Sequence, residues 1–359
     1  MKITNIKIEK FSAPLEEPFH VAFGVTYDSE SWTVKISTDE GIYGLGSACP
    51  CAYVTGETME TCYLVLQMFA KALIGCDPLD IAGIHQKMDS LIHGNGSAKC
   101  AIDLALYDIA GKHAGLPVYK LLGGTDPVVH NDITIGISSI DQMVANAKTY
   151  VFDMGFRILK VKIGNDLEHD LCVLRAIRNL VGPDVRIRID ANQGYDIPTA
   201  LEAMKAFQEI GVDAAEQFLP WWDFDGAAEL KRRNTSSLKL MLDESIHDVY
   251  DAKRAFQMNC ADYYNIKLMK CGGLYWGSKI ADFADQHGVK CMVGCMIENK
   301  LSLVAGVSLV AAKSAIVEAD CDSFLLFKGH DDGIKGGFTC DGGIFTLLDK
   351  PGFGIDLDI

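Results

Sequence analysis

The stretch ILKVKIG at residues 158–164 is a short apolar run of the kind that forms a buried strand, yet it carries Lys160 and Lys162. Side chains two apart on a strand share a face, so both amines point the same way. Lysine is seldom buried without a partner, and two on one buried face repel. The segment is therefore either an edge strand wearing charge against aggregation or a strand whose lysines face a site that uses them. Its surroundings favour the second. Upstream lies DITIGI (132–137); downstream follow VRIRID (185–190), DAAEQF (213–218), LKLMLD (238–243), YYNIKL (263–268), KCMVGC (290–295) and AIVEAD (315–320). Positions near successive strand ends, 162, 190, 216, 243 and 267, are 24 to 28 residues apart. Such a step holds one strand, one helix and two short loops. Eight strands so spaced predict an α/β fold of the (β/α) barrel type. No glycine-rich phosphate turn follows the first of them, as a dinucleotide-binding open sheet would require.

Before residue 130 the grammar differs. SWTVKIST (31–38) and GIYGLG (41–46), joined across Asp39 and Glu40, read as a hairpin. Helical patterns follow over roughly 57–74, 79–92 and 97–114, the last with Ser97 as expected N-cap and Gly115 with Pro117 as its stop. The expected organisation is an α+β unit over 1–125, a barrel over 126–335, and a glycine-rich tail, 336–359, that packs back on the first unit.

A chain that is 49% hydrophobic and 23% charged has an ordinary globular composition. Its formal charge of −15 argues against nucleic acid or an anionic membrane as partner. The longest apolar stretch, 301–312, is too short to span a bilayer, and MKITNIKIEKF at the N-terminus alternates like a strand rather than a signal peptide. The expectation is a soluble cytoplasmic protein. None of the 12 cysteines forms a Cys-x-x-Cys pair, so buried free thiols in a reducing compartment are expected. Cys49 and Cys51 are the one doublet worth considering for metal or redox chemistry.

In a barrel the active site lies at the C-terminal ends of the strands. Those ends carry Lys160 and Lys162, Asp190 with Asn192, Glu216, Asp243 with Glu244, Lys267, Glu298, and Asp320 with Asp322. Asp190, Glu216 and Asp243, on consecutive strands, would converge; without a cation they would raise one another's pKa, and a hard divalent ion resolves the conflict. Oxygen-only ligation favours Mg²⁺ over zinc. Lys162 and Lys267 lie across the mouth from each other, an arrangement suited to removing a proton from one face of a substrate and returning it to the other. Lys160 then supports Lys162 as a neighbouring cation that makes its neutral amine accessible. Lys270 reads either as a surface lysine whose stem snorkels or as part of the same rim.

The Lys-x-Lys of LKVKIG, RIDANQGY (188–195), EQF (216–218), LDES (242–245), NIKLMKCGG (265–273) and GCMIEN (294–299), in this order and spacing, resemble the enolase superfamily and, within it, the muconate-lactonizing-enzyme subgroup. The resemblance implies a (β/α)7β TIM-like barrel with an α+β N-terminal capping domain completed by the C-terminal tail. It implies one Mg²⁺ held by Asp190, Glu216 and Asp243, with Lys162 and Lys267 as acid/base pair working through an enediolate. EADCDSF (318–324) looks like the Asp-x-Asp of the dipeptide epimerases, so Asp320 and Asp322 would hold a substrate α-ammonium group, with Glu298 and Gly24 as further substrate-binding positions. The activity implied is that of an isomerase, a dipeptide epimerase, expected to be a homo-oligomer. Two alternatives use the same residues: a muconate cycloisomerase or o-succinylbenzoate synthase, whose anionic substrates gain nothing from the acid pair, and a non-catalytic amine- or peptide-binding barrel.

Two departures bear on the substrate. Phe218 stands where the family usually has proline. PFHVAFGVTYDSES (18–31) resembles the mobile capping loop, and Gly24 stands where members acting on Ala-Glu often have arginine. From Phe11 to Val34 there is one stretch without any Lys or Arg, whereas Glu16, Glu17, Asp28 and Glu30 suit a cation and Phe19, Phe23 and Tyr27 an apolar group. The expected preference is hydrophobic or cationic rather than glutamyl.

Overall fold

The computed structural model describes residues 1–22 and 24–357, so Phe23 lies outside the described residues. Strands β1 (Ile3–Val21) and β2 (Gly24–Thr38) form a long antiparallel hairpin, and β3 (Tyr43–Ala48) pairs with the other edge of β2. Helices α1 (Met59–Ala72), α2 (Ile81–Leu91) and α3 (Gly96–Ala114) complete this unit around Val34, Ile36, Leu66, Phe69, Met88 and Ile102. The segment expected as a capping loop is thus mostly strand: its pairing breaks between Pro14 and Phe19, then resumes from Phe19 with Thr26 to Val21 with Gly24. The hairpin tip is carried over the barrel, where the His20 carbonyl accepts from Ile137 N–H at 3.0 Å.

The expected Ser97 cap is corrected. The residue before α3 is Asn95, with left-handed φ of 56°, and Ser97 lies inside the helix. The free N–H groups of Ser97 and Ala98 are instead taken by the carboxylate of Glu57, at 3.0 and 3.3 Å. An anion from a distant loop thus does the work of a local cap. Gly115 closes the helix in the left-handed conformation its sequence predicts.

Helix α4 (Val118–Leu121) and strand β4 (Val128–His130) lead into the barrel. Its eight parallel strands lie in sequence order: β5 (Ile133–Ile135), β6 (Ile158–Lys162), β7 (Arg186–Asp190), β8 (Val212–Glu216), β9 (Lys239–Leu242), β10 (Tyr263–Lys267), β11 (Lys290–Gly294) and β12 (Ile316–Asp320). The connections carry α5 (Ile140–Lys148), α6 (Leu167–Val181), α7 (Ile197–Ile210), α8 (Phe224–Arg233), α9 (Val249–Met258), α10 (Leu268–Cys271) with α11 (Leu274–His287), and α12 (Lys300–Ala312). The seam between β5 and β12 is closed by Asp132 N–H to Ala319 O at 3.2 Å, with side chains supplying other bonds: Cys321 N–H to Asn131 Oδ1 at 2.8 Å and Thr134 N–H to Asp322 Oδ2 at 2.6 Å. This is the (β/α)7β barrel with an α+β cap.

In the tail, β13 (Phe338–Asp341) and β14 (Ile344–Leu347) form an antiparallel sheet with β4, and Phe353 N–H reaches Asp108 of α3 at 2.9 Å. Helix α3 is buried between sheet and barrel on most faces. Asp103 receives the N–H groups of Leu274 and Tyr275 at the start of α11, at 2.5 and 3.2 Å, and joins the two units. On its other side α3 touches β3 through glycine: a Cβ at Gly44 or Gly46 would lie 1.9 Å from Ala105 O or 2.0 Å from Ala101 O. Gly46→Ala must push strand and helix apart and should lower stability by about 3 kcal/mol. Urea unfolding checks this; an unchanged midpoint would show that the contact does not set their spacing.

Candidate active site

Each functional side chain sits at a strand end because the β period sends alternate residues into the barrel and the last one into its mouth. The lysines of the opening stretch both point inward and are buried. Gly164 ends that stretch with φ of 112°, and a Cβ there would lie 2.4 Å from Ala191 O, so the chain turns hard against the next strand's loop. Asn192 (φ 40°) and Gln217 (φ 39°) make similar turns just after Asp190 and Glu216.

Asp190, Glu216 and Asp243 converge, with one oxygen of each lying within 4.8 Å of the others, and all three are buried. They are laced with lysine. Lys160 Nζ reaches Asp320 at 2.7 Å, Glu216 at 2.9 Å and Asp190 at 3.2 Å. Lys162 Nζ is 2.6 Å from the same Asp190 oxygen, and Lys267 Nζ is 2.7 Å from Asp243 Oδ2. Asn265 Nδ2 holds Glu216 Oε1 at 2.6 Å. The electrostatics follow from burial against pairing. Burial opposes ionisation of Asp190, but Lys162 and Lys160 outweigh it and hold the carboxyl below its usual range. Lys267 and Lys270 do the same for Asp243, well below. Glu216 gains less: burial and the adjoining Asp190 push it up to about 8. Burial disfavours the charge on Lys160, yet Asp320, Glu216 and Asp190 raise its pKa well above the usual value, and Asp243 raises that of Lys267.

This arrangement meets the requirements of a hard cation. Three carboxylates share one buried space, one of them is forced toward its neutral form, and the donor set is all oxygen. Beside them, Asn192 Oδ1 and Glu244 Oε2 are buried without hydrogen-bond partners among the described residues.

Above the cluster lies a chamber of about 300 Å³. Lys162 and Lys267 enter it from strands four apart in the eight-strand barrel. Asp320 and Asp322 line one side, joined by a residue that the sequence did not reveal: Thr134 donates its N–H to Asp322 at 2.6 Å and its hydroxyl to Asp320 at 3.3 Å. Burial and Asp320 push Asp322 up to about 6. Asp132, also unforeseen, stands close to this pair and is paired with the buried Arg188. Both lie on β5 or just before it, so only closure of the barrel brings them there. Gln217 was not foreseen either; its Oε1 takes the N–H of Asp243 at 2.8 Å and fixes the loop after Glu216.

The cap side of the chamber includes Phe19, Val21, Thr26, Asp28, Glu30 and Met59, with Cys49 and Cys51 beside them. Among the described residues lining it, Lys160, Lys162 and Lys267 are the only Lys or Arg. Glu30 is paired with Lys10; Glu16 and Glu17 face away, bonded to Gly329 N–H and Asn146 Nδ2. Gly24 and Glu298 do not line the chamber: Gly24 sits at the hairpin turn beside the Tyr53 ring, and the buried Glu298 accepts from Met296 N–H at 2.9 Å. Phe218 stacks on Tyr195 with ring centroids 5.6 Å apart, under the loop rather than in the chamber. Lys270 is no surface residue. It is buried and bound to Asp243. The 12 cysteines are all free; burial pushes the thiols of Cys49 and Cys51 up, against a reactive role. No helix among the described residues is long and apolar enough to cross a membrane.

The sequence matches two family models: the mandelate racemase / muconate lactonizing enzyme N-terminal domain over residues 3–123 and the enolase C-terminal domain-like family over 142–359. It is 37% identical to an L-Ala-D/L-Glu epimerase of Clostridium acetobutylicum, covering 99% of each chain. Identity to a hydrophobic dipeptide epimerase of Enterococcus faecalis is 36%, over 90% of this chain and 91% of that one. A crystal structure of the dipeptide epimerase from Enterococcus faecalis, complexed with Mg and L-Leu-L-Tyr, superposes with a TM-score of 0.96 at 34% identity, covering 99% of this chain and 100% of that one. The chain belongs to the mandelate racemase / muconate lactonizing enzyme family of the enolase superfamily and, within it, to the dipeptide epimerases, which are isomerases.

Proposed function

We propose that the protein is a Mg²⁺-dependent epimerase that inverts the α-carbon of the C-terminal residue of a dipeptide, preferring hydrophobic or cationic side chains to glutamyl ones. The observation that carries this reading is the entry of Lys162 and Lys267 into one chamber from opposite sides of the barrel, beside the carboxylate cluster. Asp190, Glu216 and Asp243 would hold the ion, which when bound supplies positive charge against the carboxylate of the substrate as its α-proton leaves. Lys162 Nζ and Lys267 Nζ are the two groups that take the α-proton and return one to the other face. Lys160 supports them by keeping a fixed positive charge next to Lys162 on the shared Asp190 oxygen. Asp320 and Asp322, oriented by Thr134, receive the α-ammonium group, so the two ends of a dipeptide are held at fixed separation.

Side-chain preference follows from the cap. A glutamyl carboxylate would meet Asp28, Glu30 and apolar walls there, and would leave an anion buried without a partner. Hydrophobic side chains lose nothing on Phe19, Val21 and Met59. The anionic substrates of a cycloisomerase would face Asp320 and Asp322 with no compensation, which favours the epimerase.

Lys162→Ala and Lys267→Ala should each lower epimerisation by about 10²- to 10⁴-fold while calorimetric Mg²⁺ binding persists; a fully active Lys267→Ala would sink the two-base scheme. In D₂O with Mg²⁺, mass spectrometry of an L,L-dipeptide library should find exchange at the second residue's α-carbon, with hydrophobic or cationic dipeptides ahead of Ala-Glu. No exchange across the library would remove the reading, and an Ala-Glu optimum would remove only the preference. The metal role also sets a pH dependence. Glu216 holds its proton more tightly folded, with a pKa of about 8, than unfolded, near 4.5, so its contribution to stability is full below 4.5 and is lost as pH rises through 8. Mg²⁺ competes with that proton, so the rise in Tm on adding Mg²⁺ should grow with pH across this window. A rise independent of pH would contradict it.

A further inference from the structure

Lys270 has no task in the chemistry above and does not line the chamber. Its side chain is fully enclosed, with 0% exposure. Nζ donates to Asp243 Oδ1 at 2.5 Å, to the Asp243 main-chain carbonyl, and to Asn265 O at 3.1 Å. Three donors thus meet three acceptors, two of them on a single residue.

A carboxylate turns about its Cβ–Cγ bond, and its two oxygens exchange places unless one is pinned. Lys270 pins Oδ1. The other oxygen, Oδ2, faces Lys267 Nζ at 2.7 Å and has no further hydrogen-bond partner among the described residues. The carbonyl held by the same amine fixes the backbone of Asp243 just past the end of β9. Lys270 is itself seated from outside the barrel: a Cβ at Gly96 would lie 2.4 Å from the carbonyls of both Met269 and Lys270. Met269 Sδ also accepts the N–H of Cys49 at 3.3 Å. Both contacts come from the capping unit.

We propose that Lys270 is the positioning residue of the metal centre, fixing the Asp243 carboxylate and its main chain so that Mg²⁺ affinity depends on a side chain that touches neither ion nor substrate. The proposal deepens the reading of Asp190, Glu216 and Asp243 as ligands and rests on it. It is tested on the full chain by calorimetric titration with Mg²⁺ alone, without substrate, on wild type, Lys270→Met and Lys270→Gln. Urea unfolding of each in EDTA establishes that it is folded. The expected result is a Kd for Mg²⁺ raised about 10- to 100-fold in Lys270→Met, less in Lys270→Gln, which keeps a donor, with kcat recovering at saturating Mg²⁺. A merely structural residue would not be rescued by metal. A folded Lys270→Met with unchanged Kd overturns the proposal, and so does failure of both variants to fold, which would assign Lys270 to the core. Wild type that takes up no Mg²⁺ would instead remove the metal centre itself, a failure distinguishable from the others.

Discussion

Three carboxylates confined to one buried mouth are the constraint around which this molecule is arranged. Like charges at such spacing cannot all ionise in a medium of low polarisability, and removing a charge from water carries a cost that only close pairing offsets. The barrel supplies the pairing from the same set of strand ends. Lys160, Lys162 and Lys267 each approach a carboxylate of the cluster, and Lys270 does so from behind. Glu216 is the least compensated member, and its raised pKa marks where the lattice of charges falls short. The convergence of the three carboxylates and the placement of the lysines around them therefore have one origin.

The capping unit holds this arrangement in register rather than merely covering it. Helix α3 presses on β3 through the bare backbones of Gly44 and Gly46, caps α11 through Asp103, and lies on the carbonyls that follow Lys267. The long hairpin then carries Phe19, Val21, Asp28 and Glu30 to the chamber wall. The variable wall of the chamber and the carboxylate cluster thus reside on different units, and cap residues that shape the chamber can vary without disturbing the cluster below.

The barrel and its rim were legible in the sequence because both are written locally. A strand, a helix and a short loop recur every 24 to 28 residues, and each acid or base stands at the end of its own strand. What was hidden depends on contacts made only on closure. Thr134, in the first barrel strand, and Asp132, just before it, meet Asp320 and Asp322 at the end of the last, some 186 to 190 positions away, so no spacing rule joins them. Ser97 had the chemistry of a cap, but Glu57 arrived from 40 residues upstream and took the role. Lys270 was ambiguous because a lysine's burial depends on whether a partner waits inside. The hairpin tip read as a loop because its strand pairing resumes only after the break between Pro14 and Phe19, above the sheet from which it rises.

The seam between β5 and β12 constrains how this fold can evolve. Where neighbouring strands would exchange backbone hydrogen bonds, the N–H of Thr134 is received by the side chain of Asp322. A carboxylate that lines the chamber is thus also a rung in the ladder that closes the barrel. A lineage could not discard Asp322 freely, because the buried N–H of Thr134 would be orphaned at a cost of about 1–3 kcal/mol. Change in the chamber lining should accordingly arise first at the cap, while Asp322 remains fixed by the fold's own need for closure.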